Sequence, residues 1–302
     1  MLRAINQLKH YFDEKSIELV TPDVVQVLSE DELIKLVPQV DAWIIGDDPA
    51  TEKVFTAGKA GKLKAAVKWG VGVDNVDFKA CEKLGIPISN TPRMFGNEVA
   101  DMAMAYFTGL TRDSYRVHQA VQNGQWLKPA GMSLDGKTVA LIGLGDIGLA
   151  TARRLKGFGV HINAYDPFTE LSAEDAGVDE IMAFPEKIGQ ADFVIITCAL
   201  TPSSHHLVNK ASIALMKDGV YVINVSRGPL IDETALVEAL QSGKVRGAGL
   251  DVFEVEPLPA DSPLRKFDQC IFGTHNGSNT KEAVIRASLR VIELLFGYLG
   301  IK

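Results

Sequence analysis

Short apolar runs alternate with segments of helical period along most of this chain. Residues 41–46 (DAWIIG), 65–70 (AAVKWG) and 86–89 (IPIS) read as strands in the first third. Residues 137–145, 160–166, 191–197, 219–225, 245–253 and 269–275 continue the series. Between them lie helix-like segments such as 147–157, 208–216 and 232–242. Strands spaced by ten or more helical residues imply parallel βαβ units whose sheets are covered by helices on both faces. The expected fold class is α/β, with two doubly wound parallel-sheet domains.

The longer helical patterns mark the domain limits. Residues 97–126 hold an apolar helical period throughout and predict one long helix, after which LKPAGMSLDG breaks the pattern with proline and glycine. Residues 280–298 form a second strong amphipathic helix, expected to return toward the first domain. The expected boundaries are 1–97 plus 277–302 for one domain and 98–276 for the other. Residues 2–14 read as helix where such a domain ordinarily opens with a strand. Either that strand is absent or the helical reading is wrong there. No repeat or low-complexity tract interrupts the chain.

Composition narrows the partners. A chain of 302 residues with 46% hydrophobic and 23% charged residues has the make-up of a water-soluble globular protein. A net charge of −7 argues against nucleic acid and against an anionic membrane surface. Cys81, Cys198 and Cys270 are too scattered for a disulfide framework or a zinc site. No signal-peptide core or membrane-length apolar run is present, so a cytoplasmic location is expected.

The strongest chemical signal is VALIGLGDIG, which places Gly143, Gly145 and Gly148 as G-x-G-x-x-G between a strand and a helix. The first glycine permits the turn, the second lets a pyrophosphate approach the backbone, and the third lets helix and strand pack closely. A bare glycine pattern occurs by chance, but here an acid follows where a dinucleotide needs it. Asp166 stands 18 residues after Gly148, at the end of the next strand. Its carboxylate can accept hydrogen bonds from ribose hydroxyls and would repel a 2′-phosphate, which favours NAD over NADP.

Three further islands end later strands: Arg227 in NVSRGPLIDE, Asp251, Glu254 and Glu256 in GLDVFEVEPLP, and His275 in FGTHNGSN. Taken alone, His275 is an ordinary turn residue. Ligands of a doubly wound sheet sit at the carboxyl ends of its strands, which places Arg227, Glu256 and His275 on one edge. A histidine can pass a proton to or from a hydroxyl as a hydride moves. A carboxylate beside it would orient the ring and favour imidazolium, and an arginine fork can hold a substrate carboxylate.

The stretches KWGVGVDNVD, NTP, EVAD, GLGDIG, LTP, NVSRGPLIDETAL, GLDVFEVEP and THNGSNTKEA run from Lys68 to Glu282. In their order and spacing the chain resembles the D-isomer-specific 2-hydroxyacid dehydrogenases, the family that includes phosphoglycerate dehydrogenase and glyoxylate/hydroxypyruvate reductase. That resemblance implies a flavodoxin-like substrate domain, a Rossmann NAD-binding domain and a homodimer acting on a small 2-hydroxy or 2-keto acid. It makes Arg227 the substrate anchor, Glu256 the partner of His275, and His275 the acid/base. It gives the nicotinamide carboxamide to Asp251 and the pyrophosphate to the amides of Asp146 and Ile147. Val225 and Cys198 flank the cofactor, and the Val71 and Gly72 amides receive the substrate carboxylate. Only the family pattern prefers Glu256 over Glu254, two residues earlier.

Thr274 and Asn276 depart from the family, which commonly carries proline and isoleucine around this histidine. The chain ends at Lys302, so the regulatory domain appended to many phosphoglycerate dehydrogenases is not expected. Lys68 and Arg93 could hold a substrate phosphate, which favours 3-phosphoglycerate; solvated surface side chains are the competing reading. Reduction of hydroxypyruvate or glyoxylate is the second possibility, and an NAD(H)-sensing binding protein resembling the fold's corepressors the third. Adjacent His205 and His206 would point apart on a helix and are read as structural; no metal is expected.

Overall fold

The computed structural model describes residues 4–24 and 27–301. The chain divides into two compact units, Met1–Met94 with Asn279–Lys302, and Phe95–Ser278.

In the first unit, β1 (Ala42–Ile45), β2 (Ala65–Lys68) and β3 (Ile88–Ser89) form a parallel sheet in sequential order. Side chains of β2 alternate between faces. Ala66 joins a core with Val54, Phe55 and Cys81 from the crossover helices Glu52–Ala60 and Phe78–Leu84. Ala65 and Val67 meet Val291 and Leu295 of the helix Lys281–Leu299. Consecutive right-handed crossovers put their helices on one face, so this C-terminal helix covers the other. Each aliphatic side chain buried there contributes roughly 2 kcal/mol. Trp69 packs against the same cluster and donates its indole N–H to Ser288 Oγ at 3.0 Å.

The amino-terminal segment is helical from Ile5 to Asp13, with Leu8 and Phe12 packed on Ile292. No strand precedes Ala42 among the described residues. Leu2 and Arg3, included in the helical expectation, lie outside them.

The second unit holds seven parallel strands: β4 (Thr138–Ile142), β5 (His161–Tyr165), β6 (Glu180–Ile181), β7 (Phe193–Ile196), β8 (Val220–Asn224), β9 (Val245–Leu250) and β10 (Ile271–Phe272). Their order is β10-β9-β8-β7-β4-β5-β6, so the winding reverses between β4 and β7. The central strands are buried on both faces, as their unbroken apolar runs require. Only β6, a two-residue edge pairing, had no periodic signal in the sequence.

The single long helix expected over 97–126 is two helices, Gly96–Thr111 and Ser114–Gln122. Asp113 adopts φ 51, a left-handed conformation that a short polar residue tolerates, and its carboxylate accepts from Arg116 Nη2 at 2.7 Å. The Thr108 and Thr111 hydroxyls bond back to carbonyls one turn earlier, which weakens helix continuation at that point. The first helix buries ten of its residues and the second only Ala120, so the apolar period in the sequence overstated the continuity.

Candidate active site

The reversal point brings the ends of β4 and β7 together. Gly143 turns at φ 98, and a Cβ there would stand 2.6 Å from the Cys198 backbone. A Cβ on Gly148 would lie 2.0 Å from the Gly143 carbonyl oxygen, so the first and third glycines are required by packing. Gly145 differs: a Cβ there would meet nothing within 4 Å. It precedes the helix Asp146–Leu155 and supplies no side-chain cap, which leaves the first-turn N–H groups of Asp146 and Ile147 uncapped by a side chain. An anion is stabilised at such a helix end. The Asp146 carboxylate itself turns aside and lies over the start of the helix Gly96–Thr111, where only glycine at 96 leaves room.

Asp166 follows β5 and ties this turn down: its Oδ2 accepts from the Leu144 N–H at 2.7 Å and its Oδ1 from the Phe168 N–H at 2.9 Å. Each oxygen keeps a lone pair for a further donor. Cys198 is partly buried beside the glycine turn, and burial pushes its thiol up to about 11. Val225 is buried at the end of β8. A glycine cradle without a side chain over it, an uncapped helix end and an acid beyond the next strand fit NAD.

The later strands deliver the charged side chains. His275 Nδ1 and Glu256 Oε2 are 2.8 Å apart, and the Phe253 N–H holds the other oxygen of Glu256 at 3.0 Å. With Glu256 accepting, the ring proton sits on Nδ1, and Nε2 lies 3.4 Å from Arg227 Nη1. Arg227 Nη1 also donates to the Ser226 carbonyl at 2.8 Å, which fixes the guanidinium. Gly228 allows its own turn to press on the next, since a Cβ would come within 1.8 Å of the Phe253 carbonyl carbon. Arg227, Glu256 and His275 are thus brought together by three successive strand-end turns.

His275 occupies φ 54, with exposed Thr274 and Asn276 on either side. Left-handed backbone is unfavourable for histidine and persists only where its surroundings hold it. Asp251 provides that hold. Its carbonyl accepts the His275 N–H at 2.6 Å, and its buried carboxylate accepts from the Tyr106 hydroxyl at 3.0 Å and the Gly277 N–H at 2.8 Å. Burial, then the charge of Asp251, pushes the Tyr106 phenol far up, so it remains a donor. Tyr106 left no chemical signal in the sequence, because it reads as one more core position of its helix.

Glu254 does not meet His275. Its Oε1 pairs with His206 Nε2 at 2.7 Å, and its N–H donates to Glu233 Oε1 at 2.7 Å. The His205 and His206 rings stack with centroids 4.0 Å apart. Among the described residues no group of three His, Cys, Asp or Glu side chains could hold a metal ion.

In the first unit the residues after β2 are set by the backbone. Gly70 takes φ 132, and the Thr91 hydroxyl accepts its N–H at 2.9 Å. Asn90 Nδ2 donates to the Val71 carbonyl at 2.8 Å. Among the described residues no hydrogen bond within the chain uses the amides of Val71 and Gly72.

Lys68, which the sequence offered as a phosphate ligand or a solvated surface residue, is turned inward. It is 2% exposed, and its Nζ donates to the Gly46 carbonyl and to Asp47 Oδ1 at 3.2 Å. A buried ammonium needs such partners, and the turn after β1 supplies them. Arg93 remains exposed and sits in left-handed backbone at φ 60.

A parallel sheet that reverses at a glycine-lined turn, followed by an arginine and a histidine–carboxylate pair, defines an NAD-dependent oxidoreductase. A family model for the D-isomer specific 2-hydroxyacid dehydrogenase NAD binding domain matches residues 104–277. The chain is 40% identical over 283 residues to a hydroxypyruvate reductase of Thermotoga maritima, covering 91% of this chain and 90% of that protein. It is 38% identical over 275 residues to D-3-phosphoglycerate dehydrogenase of Methanocaldococcus jannaschii, covering 90% of this chain but 52% of that relative. The crystal structure of D-lactate dehydrogenase from Aquifex aeolicus with NAD and lactic acid aligns with a TM-score of 0.85 at 26% identity, covering 99% and 93% of the two chains. The protein belongs to the D-isomer-specific 2-hydroxyacid dehydrogenase family, enzymes that act on small 2-hydroxy and 2-keto acids with NAD. Among the described residues no helix is long and apolar enough to cross a membrane.

Proposed function

We propose that the enzyme reduces a small unphosphorylated 2-keto acid, of the hydroxypyruvate or glyoxylate class, to the corresponding 2-hydroxy acid. The observation that carries this choice is the inward turn of Lys68 onto Gly46 and Asp47. It withdraws one of the two cations that a phosphate-bearing substrate would need. Arg227 is the side chain that pairs with the substrate carboxylate and polarises its carbonyl. His275 delivers the proton from Nε2 to the carbonyl oxygen, and Glu256 holds the ring through Nδ1 and favours its imidazolium form. Bound nicotinamide supplies or accepts the hydride.

We assign the remaining roles on the same reading. The amides of Asp146 and Ile147 take the pyrophosphate at the open face of Gly145. Asp166 takes the ribose, Val225 and Cys198 line the nicotinamide end, and Asp251 faces the carboxamide while holding the His275 turn. From the first unit, the Val71 and Gly72 amides receive the substrate carboxylate.

Arg93 favours a second reading, in which one exposed cation held in left-handed backbone suffices for 3-phosphoglycerate. NADH oxidation measured against glyoxylate, hydroxypyruvate, pyruvate, 2-oxoglutarate and 3-phosphohydroxypyruvate decides. The highest kcat/KM on glyoxylate or hydroxypyruvate is expected; preference for the phosphorylated acid would replace our assignment with the second. The reading also includes a cytoplasmic homodimer, for which light scattering gives the mass.

A further inference from the structure

We propose that Glu254 and His206 are positioning residues for the acid/base pair: together they clamp the turn that presents Glu256 to His275. The inference rests on the assignment of His275 as the proton carrier.

Glu256 reaches His275 from a four-residue turn tied internally by the Phe253 N–H on Glu256 Oε1. The turn needs an outer anchor, and Glu254 is that anchor. Its N–H donates to Glu233 Oε1 at 2.7 Å, the Glu233 N–H approaches Glu254 Oε1 at 3.4 Å, and His206 Nε2 meets the same oxygen at 2.7 Å. Main chain and side chain of one residue are therefore tied to two other segments, the start of the helix Glu233–Ser242 and the turn after β7.

His206 is itself fixed for this contact. Its N–H donates to the Pro229 carbonyl at 2.8 Å, its carbonyl accepts from Asn209 Nδ2 at 2.8 Å, and its backbone is left-handed at φ 50. Pro229 lies two residues beyond Arg227, in the turn that presses on Phe253. The His206–Glu254 pair thereby closes a ring around the turns that carry Arg227 and Glu256.

Electrostatics point the same way. Burial pushes the Glu233 carboxyl up, and the charges of Glu254 and Glu256 add to that. Two carboxylates, Glu233 and Glu254, stand behind Glu256, and the His206 ring meets the second of them. Within this unit the charged groups around His275 are Glu256 and Arg227, with Asp251 holding its N–H; Glu254, Glu233 and His206 stand behind Glu256.

The test uses the full chain and the best keto acid of the panel, with kcat, KM, NADH Kd, Tm and the pH profile measured for each variant. Glu254→Ala and His206→Asn are expected to lower kcat about tenfold, since a shift near one ångström suffices for such losses. Asparagine keeps the left-handed backbone but is too short to span the 2.7 Å contact. In both, the alkaline limb of kcat/KM moves to lower pH by about half a unit, because the contact of the imidazolium with Glu256 is loosened. NADH Kd stays at the parental value. Glu254→Gln, which still accepts from His206 and from the Glu233 N–H, retains the parental profile. Parental kcat and pH profile in Glu254→Ala and His206→Asn would overturn the proposal, as would Glu254→Gln as impaired as Glu254→Ala. If Glu254→Ala fails to fold, His206→Asn, a change at a partly exposed side chain, decides. Full turnover by His275→Ala would instead defeat the acid/base assignment, a result separable from these.

Discussion

The turns that follow β8, β9 and β10 in the second unit present charged side chains, whereas the turn that follows β2 in the first unit presents main-chain amides. After β8, β9 and β10 come Arg227, Glu256 and His275, linked at 2.8 and 3.4 Å. After β2 come Gly70, Val71 and Gly72, shaped by Thr91 and Asn90, while the nearby cation Lys68 faces the interior. Side-chain chemistry is written in residue type, so it can be read from sequence. Backbone chemistry leaves only a glycine and a φ angle, and a charged residue's type does not say which way it points.

Removing the key group of the second unit should have the largest effect. His275→Ala is expected to lower kcat by about a thousandfold while NADH affinity is kept, measured by turnover and by fluorescence titration. Equal turnover would erase the contrast between the units. The matching change in the first unit is Gly70→Ala, which forces a side chain into backbone at φ 132. Strain of about 1–3 kcal/mol should raise the keto acid KM roughly tenfold without moving the NADH Kd. An unchanged KM would remove the first-unit amides from substrate binding.

Lys68→Met separates structural from substrate-binding cations. It should lower stability by about 1–2 kcal/mol, because the Gly46 carbonyl and Asp47 each lose the bond from this ammonium while Asn75 Nδ2 still donates to the carbonyl, and leave the KM for glyoxylate near the parental value. Arg93→Ala, at an exposed position, should leave Tm unchanged. A large KM increase from Lys68→Met with no loss of Tm would reverse the reading of both residues.

The smallest effect concerns Glu233. Its carboxyl is raised, chiefly by burial, so the folded state favours the protonated form. That contribution is full below the unfolded carboxyl range and is lost as pH rises through the folded value. Glu233→Gln should therefore flatten the fall of Tm with rising pH through the acid range, while its carbonyl still accepts from Glu254. A Tm–pH curve identical to the parent's would show that burial of this carboxyl has no thermodynamic consequence.

Much of this was legible in the sequence, and the misses share one cause. The strands of both sheets other than β6, the glycine turn at 143–148 and the residue types at the ends of β8 to β10 were visible, because pleat period, helix period and glycine sterics are local. The break at Asp113 was not, since a left-handed φ at one polar residue leaves no mark on the apolar period. Nor was β6, whose two residues are too few to show a period.

What the sequence determined by itself is the α/β class, the dinucleotide turn and the set of residue types available for proton transfer and anion binding. The tertiary structure decided the partners. It set Glu256 on His275 and Glu254 on His206, 48 residues away, and it turned Lys68 onto Gly46 and Asp47. Two glutamates separated by one residue are equivalent to any local rule. Distances of 2.7 to 2.8 Å distinguish them, and such distances exist only once segments remote in sequence have packed together.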